Sequence, residues 1–214
     1  MLLSKLKRNG FKFSQTSLFG YNFMKNIAVF LDRDGTVSEE VGYVNHLSRY
    51  RLFPWTATAI KRLNEAGLKA ILVTNQAGVA RGYFTEDLIW KVHEKLTSEL
   101  TNFGAHLAGI YYCPHHPSAG KPPYRANCEC RKPKPGLLYK AAQENEIDLT
   151  RSFMVGDKYT DIELAQRIGL KGVMVMTGYG IGEYEYQREA WPQMPDKIAT
   201  DLLEAVDWII TQAK

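Results

Sequence analysis

The sequence contains few cysteines and no long hydrophobic run. Three of its 214 residues are cysteine, and 45% are hydrophobic, which is an ordinary share for a globular protein. No stretch approaches the roughly 18 apolar residues of a membrane-spanning helix, so no membrane association is expected. The length and composition predict one folded domain, or at most two, and exclude fibrous, disordered and disulfide-rich proteins.

Acidic residues are absent from residues 1–26, which hold five of the 27 basic residues. The whole chain has a net charge of +4, but outside this segment 22 basic residues stand against 23 acidic ones. A nearly neutral body lacks the basic surface that nucleic-acid binding requires, so no nucleic-acid partner is expected.

Residues 1–23 show no helical or strand periodicity, and Lys5 and Lys7 interrupt the apolar core that a secretory signal requires. An organelle transit peptide and an upstream start codon are alternative interpretations of this basic segment. We interpret residues 1–23 as a loose N-terminal extension and residues 24–214 as the folded domain. A monomeric, cytoplasmic protein is the expectation.

Apolar segments of strand length alternate with helix-like segments from Ile27 onward. Predicted strands cover 27–31, 69–73, 108–113, 152–156 and 172–176, and predicted helices cover 55–66, 85–103, 135–145, 160–168 and 199–212. The strands are almost entirely apolar, which is typical of a parallel sheet covered by helices on both faces. The sequence therefore predicts an α/β fold with its site at the carboxyl ends of the strands.

Acidic side chains follow two of these strands. Asp32 and Asp34 come directly after the first strand, and Asp157 follows the fourth. Neighbouring carboxylates at a strand end repel each other and lose solvent, so a cation is needed to neutralise them. Oxygen ligands of this kind suit Mg²⁺, and the sequence predicts a magnesium site formed by these three residues.

The same strand ends carry the groups that phosphoryl transfer requires. Asp32 is the candidate nucleophile, which would form an aspartyl phosphate. Asp34 is the candidate general acid for the leaving alkoxide and then the base that activates water. Thr74 and Asn75 offer hydrogen bonds to phosphate oxygens, and Lys132 offers the positive charge that the transferring group needs.

All three cysteines lie within one proline-rich loop, residues 114–134 and the preceding strand end. Their odd number argues against paired disulfides, and the spacing predicts a closed, structural zinc site formed by Cys113, His115, Cys128 and Cys130. His116 is the alternative fourth ligand. Because Cys130 is followed at once by an arginine and the candidate lysine, the zinc-bound loop is expected to lie near the active site.

Four segments together resemble the motifs of the haloacid dehalogenase-like phosphatases: residues 32–36, Thr74, Lys132, and Gly156-Asp157 with Asp161. The resemblance runs from about residue 27 to 176. It implies a Rossmann-like parallel sheet without a large cap domain, dependence on Mg²⁺ and an aspartyl-phosphate intermediate.

The cysteine loop, of the form C-x-H…C-x-C-R-K, resembles those of the D-glycero-D-manno-heptose 1,7-bisphosphate 7-phosphatases and the histidinol-phosphatases. Twelve residues separate His115 from Cys128, a long gap that favours the heptose enzymes, as do the stretches 42–44 and 74–82. The resemblance implies removal of the C7 phosphate from a small sugar bisphosphate. Histidinol phosphate or another small phosphate monoester is the alternative substrate.

The resemblance also implies a set of substrate-binding residues: Arg33, Glu40, Val41, Gly42, Tyr43, Asn75, Gln76, Ala77, Arg131 and Lys158. Two features depart from the family pattern. Ala77 replaces a commonly seen serine, and residues 178–198 are longer than expected. Tyr184, Tyr186 and Trp191 in that segment would either cover the site or pack elsewhere.

Two further functions share some of these sequence features. A DNA-end 3′-phosphatase would share the core motifs but would need a basic groove, which the body charge argues against. A non-catalytic zinc-stabilised binding module would have no need of both Asp32 and Asp34.

Overall fold

The computed structural model describes residues 25–213. Its strands are β1 (Ala28–Leu31), β2 (Lys69–Asn75), β3 (Gly109–Cys113), β4 (Phe153–Gly156), β5 (Lys171–Val175) and β6 (Lys197–Ala199). Its α-helices are α1 (Thr56–Glu65), α2 (Glu86–Asn102), α3 (Gly136–Asn145), α4 (Tyr159–Arg167), α5 (Gly180–Gln187) and α6 (Leu202–Gln212).

The six strands form one parallel sheet in the order β3-β2-β1-β4-β5-β6. The central strand β1 is buried on both sides because its residues alternate between two apolar cores. Val29 and Leu31 join the core formed with α1, α2 and α6. Ala28 and Phe30 join the core formed with α3 and α4. The sequence prediction of a Rossmann-like sheet with helices on both faces is confirmed.

The strand order changes direction between β1 and β4, which lie side by side in the sheet. At such a switch point the two following loops diverge to opposite faces and leave a crevice at the carboxyl edge. The loops after β1 and β4 carry Asp32 and Asp157, so the topology brings these two carboxylates together.

Two elements in the segment 178–198 were not predicted from the sequence. Residues 180–187 form α5, and residues 197–199 form the short edge strand β6. The last helix was predicted from residue 199 but begins at Leu202, where the side chain of Asp201 accepts hydrogen bonds from the first turn. A three-residue strand is too short to show an alternating pattern, which explains the error.

None of the helices between residues 25 and 213 is long and apolar enough to cross a membrane. The predicted N-terminal extension, residues 1–23, lies outside the described residues.

Candidate active site

A cavity of about 320 Å³ opens at the carboxyl edge of the sheet. Most predicted catalytic and substrate-binding residues line it: Asp32, Asp34, Glu40, Gly42, Tyr43, Thr74, Asn75, Gln76, Ala77, Arg131, Lys132 and Lys158. Four lining residues were not predicted: Val44, Gly78, Thr160 and Tyr179. Arg33 and Val41 were predicted to bind substrate, but neither lines the cavity. Val41 packs against the apolar core instead.

Asp32 is held by one of its two carboxylate oxygens. Its Oδ1 accepts a hydrogen bond from the Arg33 backbone N–H at 2.7 Å and lies 2.8 Å from Lys132 Nζ. Its own backbone N–H donates to the Val155 carbonyl at 3.0 Å, which ties the loop to β4. This arrangement leaves Oδ2 available to a metal ion or to a phosphorus atom.

Lys132 is a buried ammonium group shared by two carboxylates. Its Nζ lies 2.7 Å from Asp161 Oδ1 as well as 2.8 Å from Asp32, and it donates to the Val73 carbonyl at 3.0 Å. Burial disfavours the charge, but the nearby carboxylates of Asp161 and Asp32 outweigh it and raise the pKa of Lys132. The side chain therefore stays protonated beside the candidate nucleophile.

Asp32, Asp157 and Asp161 bring one carboxylate oxygen each within 4.8 Å of one another. Oδ1 of Asp157 and Oδ2 of Asp161 are buried and have no hydrogen-bond partner in the described part of the chain. Burial, with repulsion from Asp32, raises the pKa of Asp157 to about 8 and that of Asp161 to about 6. Unpartnered buried oxygens of this kind fit a hard divalent cation such as Mg²⁺.

Glycines make room for these carboxylates. A Cβ atom on Gly35 would lie 2.0 Å from Asp157 Oδ2, and one on Gly178 would lie 2.2 Å from the same oxygen. Both glycines have positive φ angles, which other residues adopt at a cost. A Cβ on Gly156 would lie 2.2 Å from Asp161 Oδ2. These positions explain the glycines of the D-x-D-G and G-D motifs.

The carboxylate of Asp34 points away from the carboxylate cluster formed by Asp32, Asp157 and Asp161. Its oxygens accept from Arg33 Nε at 3.0 Å, Arg33 Nη2 at 2.7 Å and Gln76 Nε2 at 2.9 Å. Burial alone would raise the pKa of Asp34, but the Arg33 guanidinium outweighs burial and lowers it. The sequence prediction grouped Asp34 with the magnesium ligands, whereas the structure groups the carboxylate of Asp161 with Asp32 and Asp157.

The predicted zinc ligands lie together. The Sγ–Sγ distances are 3.1 Å for Cys128–Cys130, 3.2 Å for Cys113–Cys130 and 3.5 Å for Cys113–Cys128, and His115 Nδ1 lies 3.3 Å from Cys130 Sγ. These separations are too long for a disulfide, which requires about 2.05 Å. They approach the edges of about 3.5–3.8 Å that Zn–S bonds of about 2.3 Å would produce in a tetrahedron.

His116, the alternative ligand, lies outside this cluster. Its Nε2 is 3.0 Å from the Arg81 guanidinium, and its Nδ1 accepts from the Ala119 N–H at 2.9 Å. The four atoms grouped for metal binding come from Cys113, His115, Cys128 and Cys130.

Asn75 joins the cysteine loop, residues 114–134, to the sheet. Its Oδ1 accepts from the Lys132 N–H at 3.0 Å, and its Nδ2 donates to the Lys132 carbonyl at 3.2 Å. The side chain predicted to bind phosphate is thus engaged in holding Lys132 in place. The Gln76 N–H donates to the Cys113 carbonyl at 2.7 Å, and Arg131 donates to the His115 carbonyl at 3.3 Å.

The cavity rim carries one further cation. Lys158 Nζ lies 3.6 Å from Glu40 Oε2 and 4.1 Å from the centre of the Tyr179 ring. Burial opposes its charge, but Asp157 and Glu40 outweigh burial and raise the pKa of Lys158. Tyr179 follows the end of β5. A position just after a strand places a residue at the carboxyl edge of the sheet, and the sequence prediction did not use this signal.

The long segment 178–198 packs beside α4. Trp191 stacks on Tyr159 with ring centres 4.7 Å apart, and Tyr184 lies 6.3 Å from the Trp191 ring. Glu183 accepts a hydrogen bond from the Tyr159 N–H at the first turn of α4. Of the two roles considered for these aromatic residues, Tyr184 and Trp191 thus take the packing role, whereas the Tyr186 side chain is exposed.

Known proteins are similar to this chain in sequence. A family model described as HAD-hydrolase-like matches residues 129–205. A relative from Thermosynechococcus vestitus, named D-glycero-D-manno-heptose-1,7-bisphosphate 7-phosphatase, is 43% identical over 194 residues, 88% of this chain and 97% of the relative. A relative from Escherichia coli K12, named D-glycero-beta-D-manno-heptose-1,7-bisphosphate 7-phosphatase, is 41% identical over 153 residues, 71% of this chain and 80% of the relative.

A crystal structure shares the fold. The D,D-heptose 1,7-bisphosphate phosphatase from B. bronchiseptica, complexed with magnesium and phosphate, aligns with a TM-score of 0.77 and 29% identity. The alignment covers 87% of this chain and 99% of that one.

Proposed function

Because the chain belongs to the haloacid dehalogenase-like phosphatases, in the family of the D-glycero-D-manno-heptose-1,7-bisphosphate 7-phosphatases, we propose that it removes the C7 phosphate of that sugar bisphosphate. The chain is a phosphoric monoester hydrolase. The observation that carries the proposal is the pairing of Asp32 with Lys132 at the floor of a polar cavity. The named relatives, which match most of the chain, support the substrate.

In the first step, an oxygen of Asp32 attacks phosphorus, and the bond from phosphorus to the sugar oxygen breaks. The leaving oxygen takes a proton from Asp34, which must first be protonated against the effect of Arg33 on its pKa, and an aspartyl phosphate remains on the enzyme. Lys132 offsets the negative charge next to the reacting group. The contacts of Lys132 with Asp32 and Asp161 support this role.

In the second step, water attacks phosphorus of the aspartyl phosphate. The ionised Asp34 carboxylate takes the proton from the water, inorganic phosphate leaves, and Asp32 is regenerated. The Arg33–Asp34 ion pair supports this role because its two hydrogen bonds orient the ionised carboxylate that accepts the proton.

Asp32, Asp157 and Asp161 would hold Mg²⁺, and their unpartnered oxygens support this assignment. Bound there, the ion would offset the charge of the carboxylates and of the phosphoryl group. Cys113, His115, Cys128 and Cys130 would hold a structural zinc ion, whose role is to order the loop that carries Arg131 and Lys132.

The polar rim of the cavity suits the part of the substrate that does not react. Arg131 and Lys158 line the cavity as cations and would bind the second phosphate or the hydroxyls of the sugar. Glu40 lies beside Lys158 and would accept hydrogen bonds from sugar hydroxyls.

A substrate panel tests the proposed reaction. Phosphate release is measured for D-glycero-D-manno-heptose 1,7-bisphosphate, histidinol phosphate and a 3′-phosphorylated DNA with Mg²⁺ present. We expect kcat/KM for the heptose bisphosphate to exceed the others by at least about 100-fold, which corresponds to roughly 2.7 kcal/mol of transition-state binding. A preference for histidinol phosphate would contradict the substrate but leave the reaction type in place.

Asp32→Asn tests the nucleophile. An amide cannot form the acyl phosphate, and removal of a nucleophile lowers kcat by several orders of magnitude, so turnover should fall at least about 1,000-fold. Circular dichroism and the melting temperature check that the variant folds. Retention of more than a few per cent of wild-type activity, after deamidation is excluded by mass spectrometry, would contradict the assignment.

A further inference from the structure

Arg33 is buried beneath the cavity, with only 1% of its surface exposed. Its Nε and Nη2 donate to both oxygens of Asp34, at 3.0 Å and 2.7 Å, which is the two-point geometry specific to a guanidinium. A residue in this position cannot touch a bound sugar. Its contacts indicate a role that acts through Asp34.

Hydrogen bonds also fix the backbone of Arg33. The Arg33 carbonyl accepts hydrogen bonds from the N–H groups of Val37 and Ser38, both at 2.9 Å. Its guanidinium carbon lies 5.8 Å from the centre of the Tyr50 ring, and Tyr50 is itself 1% exposed. The guanidinium is therefore fixed on the side of Asp34 that faces the core.

Gln76 holds the same carboxylate from the cavity side. Its Nε2 donates to Asp34 Oδ2 at 2.9 Å and to Thr74 Oγ1 at 3.0 Å. Asp34 thus receives donors from two directions, and both orient the carboxylate while it carries its negative charge. A general base needs this orientation and charge, whereas a general acid must first gain a proton.

We propose that Arg33 is a positioning residue that holds the Asp34 carboxylate ready for the second half of the reaction, in which water attacks the aspartyl phosphate. The inference rests on the proposed function and assigns Arg33 to one of its two steps. The residue should therefore affect hydrolysis of the intermediate far more than formation of the intermediate.

Steady-state kinetics with 4-nitrophenyl phosphate separate the two steps. This aryl phosphate has a good leaving group, so its first step needs little help from a general acid. The quantity kcat/KM includes only binding and formation of the intermediate, whereas kcat also includes its hydrolysis. In Arg33→Met, kcat and KM should both fall by about 10- to 100-fold, because a displaced base slows hydrolysis of the intermediate. The ratio kcat/KM should change by less than about 3-fold.

Rapid acid quench provides the second readout. The variant should accumulate aspartyl phosphate and release a burst of 4-nitrophenol close to one equivalent per active site. Arg33→Lys keeps the charge but loses the two-point contact, so its loss should be intermediate. Arg33→Lys also tests the inference if Arg33→Met fails to fold. In the Asp34→Asn background, Arg33→Met should cause no further loss of kcat, since the two residues act as one unit.

Arg167→Met is the matched control. It makes the same substitution at a half-exposed arginine of α4, whose guanidinium pairs with Glu163 on the same helix, so kcat should stay within about 2-fold of wild type, as expected for loss of a surface ion pair. Equal losses of kcat and kcat/KM in Arg33→Met without a burst, or unchanged kinetics, would overturn the inference. Absence of any aspartyl phosphate in the wild-type protein would instead overturn the proposed function.

Discussion

The charges of single residues at the carboxylate cluster favour binding of a divalent cation. The three clustered carboxylates of Asp32, Asp157 and Asp161 face one buried ammonium, that of Lys132, which leaves a net charge of −2 when all are ionised. Burial, together with repulsion from Asp32, raises the pKa of both Asp157 and Asp161, so keeping all three carboxylates ionised without a cation is unfavourable. One Mg²⁺ ion would neutralise this charge, so metal binding should lower both pKa values.

Gly178→Ala tests the fit of the carboxylate cluster at the residue scale. The new Cβ would lie 2.2 Å from Asp157 Oδ2 and 2.6 Å from Gly35 Cα, so Asp157 must move. We expect magnesium affinity, measured from the Mg²⁺ dependence of turnover, to fall by at least about 10-fold, since shifts of metal-site geometry of this kind cost 10- to 100-fold.

Gly169→Ala is the control for this variant. Gly169 has a similarly positive φ of 76°, but a Cβ there would meet nothing within 4 Å. It should lower the free energy of unfolding by about 1 kcal/mol through backbone strain alone and leave magnesium affinity unchanged. Equal magnesium affinities in the two alanine variants would argue against the collision with Asp157.

The cysteine loop, residues 114–134, acts at the scale of structural elements. It connects β3 to α3, and the hydrogen bonds between Asn75 and Lys132 fasten its far end to β2. A loop with this many prolines and little apolar surface cannot order itself by burial alone. A zinc ion at the base of the loop would supply on the order of 10 kcal/mol of binding free energy towards ordering it.

Cys130→Ser should remove zinc and misplace Arg131 and Lys132. A displacement of about 1 Å can cost about 100-fold in rate, so kcat/KM should fall by that order, less than in Lys132→Ala. Circular dichroism should be unchanged, because the other strands lie outside the loop and β3 ends where it begins. Zinc content is measured by atomic spectroscopy.

His116→Ala is the matched control, because His116 adjoins the cluster without joining it. It should retain one zinc per chain. The prediction fails if wild-type protein purified without chelator contains no zinc, or if Cys130→Ser has wild-type kinetics. Complete loss of secondary structure on chelation would show that zinc supports the whole fold.

Acid stability is a property of the whole molecule that one buried histidine influences. His93 on α2 is buried, and neither ring nitrogen has a hydrogen-bond partner within the described ranges. Burial, reinforced by the charge of Arg33, lowers the pKa of His93 to about 3. The folded state therefore holds the imidazole neutral, while the unfolded chain binds a proton below about pH 6.5.

This difference should make stability decline as pH falls from about 6.5 towards 3, because the unfolded state then binds more protons. Between pH 7 and pH 5, His93 should lower the free energy of unfolding by about 2 kcal/mol. Urea titrations at both pH values should show this loss in the wild type and a smaller loss in His93→Leu. Identical pH dependence of the two proteins would show that His93 takes no part.

The boundary of the folded domain is also a whole-molecule prediction. Residues 25–213 contain a six-stranded sheet and the cavity, so removal of residues 1–23 should leave kcat/KM and the melting temperature unchanged. A fall of more than about 3 °C, equivalent to roughly 1 kcal/mol for a chain of this size, would contradict the prediction by showing that these residues stabilise the domain.

The sequence by itself determined the sheet and the chemical groups at its edge. Short apolar runs rich in branched residues and followed by D-x-D-G or G-D are typical of buried strands with acidic ends, so Asp32 and Asp157 were predictable, as was the cysteine cluster from its spacing. Local patterns carry this information because strand burial and ligand spacing depend on neighbouring residues.

Only the tertiary structure decided which way each side chain turns. Asp34 turns to Arg33 and Gln76, Asp161 joins the metal cluster from α4, and Asn75 binds the backbone of Lys132. The approach of Asp34 to Gln76, of Asp161 to Asp32 and of Asn75 to Lys132 joins segments far apart in the chain, so no local pattern encodes these contacts. The physical reason is that a buried charge takes whichever partner the packed elements bring within reach.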